Sequence, residues 1–430
     1  MKQLDILIVG AGGREHALAW KLAQSPYTRK LYIAPGNAGT HTLGQNLDIQ
    51  VDDTDALLRF AKANEIDLTV VGPEVPLAAG IVDQFQAAGL RIFGPTQAAA
   101  QLESSKAFAK EFMVENNIPT AAFARFTDYE EAHRYLAVQT QPIVVKADGL
   151  AAGKGVMVCE TFADGEAALN EILIKSTFGE AGRSVLIEEC LTGPELSVLA
   201  FCDGETAVLM PPARDHKRIF DRDQGGNTGG MGAFSPVPEV GAELLAEIDQ
   251  RVIRPALEGM AARGTPFKGI LYAGLMLTPD GLRVLEFNCR FGDPETQVLL
   301  PLLDSDLVDI LLACIDGTLD KTPVRWREGA CATVVISSPG YPNAYRTGLH
   351  ISGLETAPDH LMIFHAGTSL NNSGQVVTSG GRVLAISALG ATPIDAAQAV
   401  YHYLDANHPN RIHFENMHFR TDIAQPNVQK

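Results

Sequence analysis

Over the first hundred residues, short apolar runs alternate with amphipathic stretches. Leu4–Gly10 (LDILIVG) is too short for a membrane span, is interrupted by an Asp and runs into a glycine turn. It therefore predicts a buried first strand rather than the core of a signal peptide. REHALAWKLAQS follows with helical spacing of its apolar positions. KLYIAPG, DLTVVGPE and RIFGP repeat the strand signature. DDTDALLRFAKANEI, which opens on capping acids, and LAAGIVDQFQAAG repeat the helical one. This βαβα order predicts a doubly wound parallel sheet over residues 1–103. Gly-Pro pairs at 72–73 and 94–95 end two strands at their carboxyl edge, where such sheets bind ligands.

From residue 104 the pattern changes. SSKAFAKEFMVENN reads as a helix, and PIVVKADG, KGVMVCET and SVLIEECL as strands, with a helix near 164–175. ELSVLAFCDG with TAVLMPPARD, and LYAGLMLT with GLRVLEFNCRF, read as hairpins, the second turning at Pro279-Asp280-Gly281. A long helix is predicted over Glu239–Arg263, and further helices in ETQVLLPLL and SDLVDILLACIDG. CATVVISSPGYP, MIFHAGT and GGRVLAISALG read as strands, followed by the helix TPIDAAQAVYHYL. The chain thus divides into an N-terminal doubly wound α/β domain (1–103), a central α+β region (104–325) and a mixed α+β C-terminal domain (326–430). No repeat or low-complexity tail interrupts it.

Composition narrows the functional classes. The 430 residues, 46% hydrophobic and 20% charged, suit a folded multidomain protein. A formal net charge of −17 argues against broad nucleic-acid binding, which needs a basic surface. No apolar run is long enough to cross a membrane. Six scattered cysteines without a CxxC pair read as buried free thiols of a reducing, cytoplasmic setting.

Four stretches carry candidate chemistry. Gly10, Gly12, Gly13 and Arg14 follow a strand and open a helix, the context of a phosphate cradle. The dinucleotide fingerprint fails, because Glu15 stands where its third glycine belongs and the second strand ends in Ala-Pro-Gly. A mononucleotide or sugar phosphate, or a plain tight turn, remain as readings. In VVKADGLAAGKGV, Lys146 ends an apolar strand before a turn containing Gly153, Lys154 and Gly155. That is a polyphosphate cradle or a solvated surface turn. In LRVLEFNCRFGDPETQ, strand alternation puts Glu286, Asn288 and Arg290 on one face and Phe287, Cys289 and Phe291 on the other. Two oxygen donors spaced in this way suit Mg²⁺, which keeps waters and substrate phosphates as its remaining ligands. Finally, HKRIFDRDQGGNTGGMGAFSP (His216 to Pro236) packs Gly225, Gly226, Gly229, Gly230 and Gly232 into a few residues, as a linker or a loop that closes on a reacting group.

Lys106, Lys146 with its glycine loop, the Glu188-to-Leu191 hinge, Glu195 and the Glu286/Asn288 strand occur in the order of the ATP-grasp ligases. GAGGREHALAWKL, GPEVPLAAG, KADGLAAGKGV, the glycine stretch and LEFNCRFGDPETQ resemble the phosphoribosylamine–glycine ligase (glycinamide ribonucleotide synthetase) family along essentially the whole chain. The resemblance implies an ATP-grasp fold at 104–325 with a small ATP-clamping subdomain at about 121–192. It implies ligation of glycine to 5-phosphoribosylamine at the expense of ATP, with no obligate protein partner. Lys106, Lys146, Gly153, Lys154 and Gly155 would contact ATP phosphates. Glu188 and Leu191 would offer backbone groups to adenine, and Glu195 would hold the ribose. Glu286 and Asn288 would bind Mg²⁺ or Mn²⁺, and Arg290 would stabilise the phosphoryl group. Asp215 and Asp293 would lie where the acyl phosphate meets the amine. Gly10, Gly12, Gly13, Arg14, Asn227, Gly229, Gly230 and Met231 would meet substrate. Other ATP-grasp ligases and a non-catalytic nucleotide-binding protein are the alternatives. LYAGLMLT departs from the wider superfamily, since it has no acid where many members carry a metal ligand.

Overall fold

Five strands form the first sheet, in the order Gln45–Asn46, Thr28–Pro35, Leu4–Gly10, Leu68–Val71, Ile92–Phe93, and all their pairings are parallel. A computed structural model describes residues 3–150 and 155–425 of the chain. Gly153 and Lys154 lie outside the described residues. The helix Gly13–Leu22 is more buried than an amphipathic pattern predicts. It packs on the helix Thr296–Leu302 and the strand Leu361–His365 as well as on its own domain. Its Lys21 survives burial by donating to the carbonyl of Leu303 at the end of that helix. The helix predicted over LAAGIVDQFQAAG is two pieces, Glu74–Ala78 and Ile81–Ala87, broken at Gly80, whose φ is +82°.

The small clamp is a four-stranded sheet, ordered Phe123–Phe126, Val185–Glu189, Ile143–Ala147, Val156–Cys159. Asp148, just past its third strand, fixes it to the helix Lys106–Glu115. One Asp148 oxygen accepts from Ser105 Oγ (3.0 Å) and from Ala107 N–H (3.1 Å), and the other from Ser184 Oγ (2.8 Å). The larger half is antiparallel, ordered Ala207–Leu209, Glu195–Asp203, Lys268–Thr278, Gly281–Asn288. The long predicted helix is present as Ala242–Ile248 and Arg254–Ala262, joined by a wider π turn at Asp249–Ile253.

The third large sheet crosses the boundary expected near residue 326. Its order is Arg214–Asp215, Gly232–Ser235, Ala330–Ser337, Arg382–Gly390, Leu361–His365. The two strands that flank the glycine stretch therefore belong to the C-terminal sheet. The stretch itself forms a small hairpin, Arg218–Phe220 with Gln224–Asn227. Its outer turn is sewn to the chain's last described residues. Arg420, 1% exposed at its side chain, pairs with Asp223 and Asp422 at 2.7 Å each and donates to the carbonyl of Arg218. Asp221 accepts from Thr421 N–H, and His418 Nε2 meets the Ile219 carbonyl at 2.8 Å. A free linker has no such ties.

Removing the Arg420 side chain takes two donors from Asp422, which keeps only the Arg222 N–H, and one from the Arg218 carbonyl. Arg420→Ala should lower unfolding stability by about 2 kcal/mol, discounted because Asp223 is half exposed. It should also expose the 218–224 turn to protease. Chemical denaturation and limited proteolysis read both effects.

Candidate functional site

The two lysines expected at ATP, Lys106 and Lys146, are set by two elements. Lys106 begins the helix Lys106–Glu115, which Ser105 caps by accepting from Phe108 N–H (3.1 Å). Lys106 Nζ donates to the Gly149 carbonyl at 3.2 Å. Lys146, on the strand Ile143–Ala147, donates to Glu188 Oε2 at 2.9 Å and to the Leu285 carbonyl at 3.4 Å. That carbonyl is free to face Lys146 because the ladder skips Leu285, jumping from Gly274↔Glu286 to Leu275↔Val284. Gly155 accepts from Ala147 N–H at 2.8 Å, which closes the described end of the glycine turn.

Glu188, expected to offer backbone groups to adenine, sits in a central strand with Phe123 on one side and Val144 on the other, and its carboxylate is buried. Leu191 lies in the irregular link to the strand Glu195–Asp203. Glu195 and Asp215 both hold Lys217, the latter at 3.1 Å. Close by, Glu295 accepts from Tyr272 OH (2.6 Å) and Ser197 Oγ (3.0 Å). Burial pushes Asp215 up to about 7; Lys217 opposes the shift, while Glu295 and Glu195 add to it.

Glu286, Asn288 and Arg290 are partly open, whereas Phe287, Cys289 and Phe291 are buried, as strand alternation requires. Burial favours a neutral Glu286, yet the charges of Lys106, Lys146, Lys217 and Arg290 together hold its carboxyl below the usual range. An ionised carboxylate and an amide oxygen two residues along form a donor set that fits Mg²⁺ with phosphate and water completing the shell. Asn288 Oδ1 accepts from Arg290 at 3.2 Å. Arg290 is more heavily engaged than a free phosphoryl ligand: it also pairs with Glu74 (3.3 Å) and Glu103 (3.1 Å) and donates to Phe291 O.

At the N-terminal glycines, Glu15 fills the place of the missing third glycine. Its carboxylate accepts from Gly12 N–H (2.6 Å) and from Arg14 Nε (2.5 Å), and a Cβ on Gly10 would strike it. Arg14 also donates to Phe291 O at 3.2 Å. The Gly12 N–H and the Arg14 guanidinium, expected at a phosphate, are thus occupied by a resident carboxylate. Gly13 packs against the side chain of Gln297. Beside this turn, a cavity of about 380 Å³ is lined by Gly12, Asn37 and Asp293 together with Tyr341, Thr368 and Arg382 of the C-terminal domain.

Arg382 joins that cavity to the glycine stretch. It pairs with Asp293 Oδ2 (3.2 Å) and donates to the carbonyls of Asp293 (3.0 Å) and Gly229 (2.5 Å). Burial would raise Asp293, but Arg382 and Arg14 hold it below the usual carboxylate range. Gly229 N–H donates to Tyr341 OH and Gly230 N–H to Thr228 Oγ1, each at 2.9 Å. Met231, expected at substrate, is instead a core residue: its side chain is 0% exposed, and its N–H and C=O bond to His216 and Val335. Asn227 is exposed on the hairpin.

Sequence reading missed Glu74, Glu103, Lys110, Lys217, Glu295 and Arg382 as members of this site. Lys110 and Lys217 carried a signal, each being a lysine one helical turn or two strand residues from an assigned position. Arg382, in GGRVLAIS, carried none.

The two glycines at the Arg382 contact should respond differently to a methyl group. On Gly230, whose φ is +107°, a Cβ would lie 2.4 Å from Pro294 Cδ; on Gly229 it would meet only the guanidinium end of Arg382, at 3.0 Å. Gly230→Ala should cost about 2 kcal/mol of stability and Gly229→Ala well under half of that, by denaturant titration.

Models of the phosphoribosylglycinamide synthetase N domain match residues 4–103, its ATP-grasp (A) domain 104–296 and its C domain 331–426. The chain is 52% identical over 398 residues to a phosphoribosylamine–glycine ligase of Pasteurella multocida, covering 92% of each. The crystal structure of phosphoribosylamine–glycine ligase from Thermotoga maritima superposes with a TM-score of 0.85 at 34% identity, over 98% of this chain and 100% of that one. The biotin carboxylase domain of a Hydrogenobacter thermophilus 2-oxoglutarate carboxylase shares the fold alone, with a TM-score of 0.73 at 14% identity over 97% of this chain and 92% of that one. The chain belongs to the phosphoribosylglycinamide synthetase family of ATP-grasp ligases.

Proposed function

We propose that this ATP-dependent ligase of purine biosynthesis joins glycine to 5-phosphoribosylamine through a glycyl phosphate. A glycine carboxylate oxygen attacks the γ-phosphorus of ATP and ADP leaves. The amine of phosphoribosylamine then attacks the glycyl carbonyl, phosphate leaves, and the amine proton passes to solvent or to a nearby base, giving glycinamide ribonucleotide. The observation that carries this reading is Glu286: one carboxylate kept ionised by Lys106, Lys146, Lys217 and Arg290, on the strand that continues to Asp293 at the edge of the three-domain cavity.

Lys106 and Lys146, with the turn through Gly155, would neutralise the ATP phosphates, and the Glu188-to-Leu191 segment would border the adenine. Glu195 would accept the ribose hydroxyls, exchanging its present bond to Lys217. Glu286 and Asn288 would hold Mg²⁺, with Mn²⁺ as the alternative; when bound, the ion would neutralise developing charge on the phosphates. Arg290 would act mainly by fixing Asn288, since two carboxylates already share its charge. Asp293 and Arg382 edge the cavity that suits phosphoribosylamine, and the pinned glycine stretch would exclude water from the acyl phosphate. Catalysis is then positioning and charge neutralisation, with no covalent nucleophile on the protein. Five of the six cysteines are buried and all are free, which supports a reducing compartment, the cytoplasm.

ADP release in the presence of Mg²⁺ should require both glycine and freshly generated phosphoribosylamine, tested by omitting each in turn. Release driven by bicarbonate instead would overturn the reading. Glu286→Ala should reduce turnover at least about a thousandfold while circular dichroism and melting temperature stay near wild type. Retained turnover would refute the assigned metal site.

A further inference from the structure

A second lysine stands behind the nucleotide end of the site. Lys110 lies one turn after Lys106 on the same helix, and its side chain is only 2% exposed. Its ammonium donates to Thr120 Oγ1 at 2.7 Å and pairs with Glu188 Oε2 at 2.8 Å. Thr120 in turn donates to the Val284 carbonyl at 2.8 Å, which anchors the group to the strand that carries Glu286. Glu188 Oε2 is the same oxygen that pairs with Lys146 at 2.9 Å. Glu188 Oε1 is buried and has no hydrogen-bond partner among the described residues. One carboxylate oxygen thus lies between two buried ammonium groups, and the cluster of three carries one net positive charge.

That arithmetic matters for Lys146. Paired with Glu188 alone, Lys146 would belong to a neutral ion pair and would offer little attraction to a phosphate. It would also be drawn back toward the carboxylate, whose second oxygen is vacant. With Lys110 on the other side, Glu188 is already matched, and the charge of Lys146 remains available to a ligand. Burial draws Lys110 down to about 8; Glu188 opposes that shift and Lys146 adds to it. Thr120 and the helix geometry hold Lys110 where it can do this and nothing else, for it has no open path to a ligand of its own.

We infer that Lys110 is a positioning residue for ATP: by sharing Glu188 it leaves the charge of Lys146 uncompensated and forward, without touching the nucleotide. This rests on the reading that Lys146 contacts the ATP phosphates. Lys110 then matters only while Glu188 is a carboxylate.

The test is a double-mutant cycle read by the KM for ATP, with the KM for glycine as the internal control. Lys110→Met should raise the KM for ATP about tenfold and leave that for glycine within twofold. Lys110→Met with Glu188→Gln should return the KM for ATP to within about threefold of wild type, because a neutral amide no longer competes for Lys146. A role confined to packing would not be rescued by a change at Glu188. A single variant with unaltered KM for ATP, or a double variant as impaired as the single, overturns the inference. Should Lys110→Met fail to fold, the double variant decides alone: within threefold of wild type supports the inference, and any larger rise overturns it. Lys146→Met separates the two readings. A KM for ATP unchanged in that variant overturns the assignment of Lys146 itself and the inference with it. A KM raised there but not in Lys110→Met overturns the inference only.

Discussion

The guanidinium of Arg290 is the contact on which the rest of the site depends. It lies largely covered, 17% exposed, where the N-terminal sheet meets the strand of Glu286 and Asn288, and a charge so placed is tolerable only when matched. Glu74, at the start of the helix Glu74–Ala78, and Glu103, from the segment that leads into the lysine-bearing helix, match it. A guanidinium donates in one plane at fixed angles, so these partners set orientation as well as proximity. The bond to Asn288 Oδ1 carries that orientation to the strand of Glu286. The helix of Lys106, the strand of Glu286 and Asn288 and the N-terminal domain are held in one frame because one cation answers to acids from different parts of the chain.

Similar pairings organise the other side of the site. Arg382 holds Asp293 and the Gly229 carbonyl together, and Arg420 holds the outer turn of the glycine hairpin to the chain's end. Glycine at 230 allows the backbone to approach Pro294. The arginines limit the freedom that glycine would otherwise confer. The stretch is therefore a shaped wall of the C-terminal sheet rather than a linker. Within this frame two carboxylates move in opposite directions. Glu286 faces four cations and stays ionised, whereas Asp215 faces one cation and two acids, and burial prevails. The site holds one acid suited to a metal and another poised near neutrality.

Much of this was legible along the chain. The alternation of EFNCRF is a local property, and Glu286, Asn288 and Arg290 share a face whatever they pack against. The βαβα order of the first domain follows from spacing and turn residues, and so do most helices and hairpins. Elements without apolar periodicity, such as the strands of the glycine stretch, were not legible. They form because neighbouring strands accept their hydrogen bonds, which no local pattern records.

The sequence by itself determined the fold class, the family and the face that Glu286, Asn288 and Arg290 share, because each is written in spacing over a few residues. Tertiary structure decided who neutralises whom. Glu15 occupies the glycine turn that resembled a phosphate cradle, Met231 turns into the core, the Glu188 carboxylate pairs with Lys146 and Lys110, and Arg382 joins from a place with no motif. The pairings of Glu188 and Arg382 depend on which charges meet across segments tens of residues apart, and burial makes each such pairing obligatory once the chain has closed.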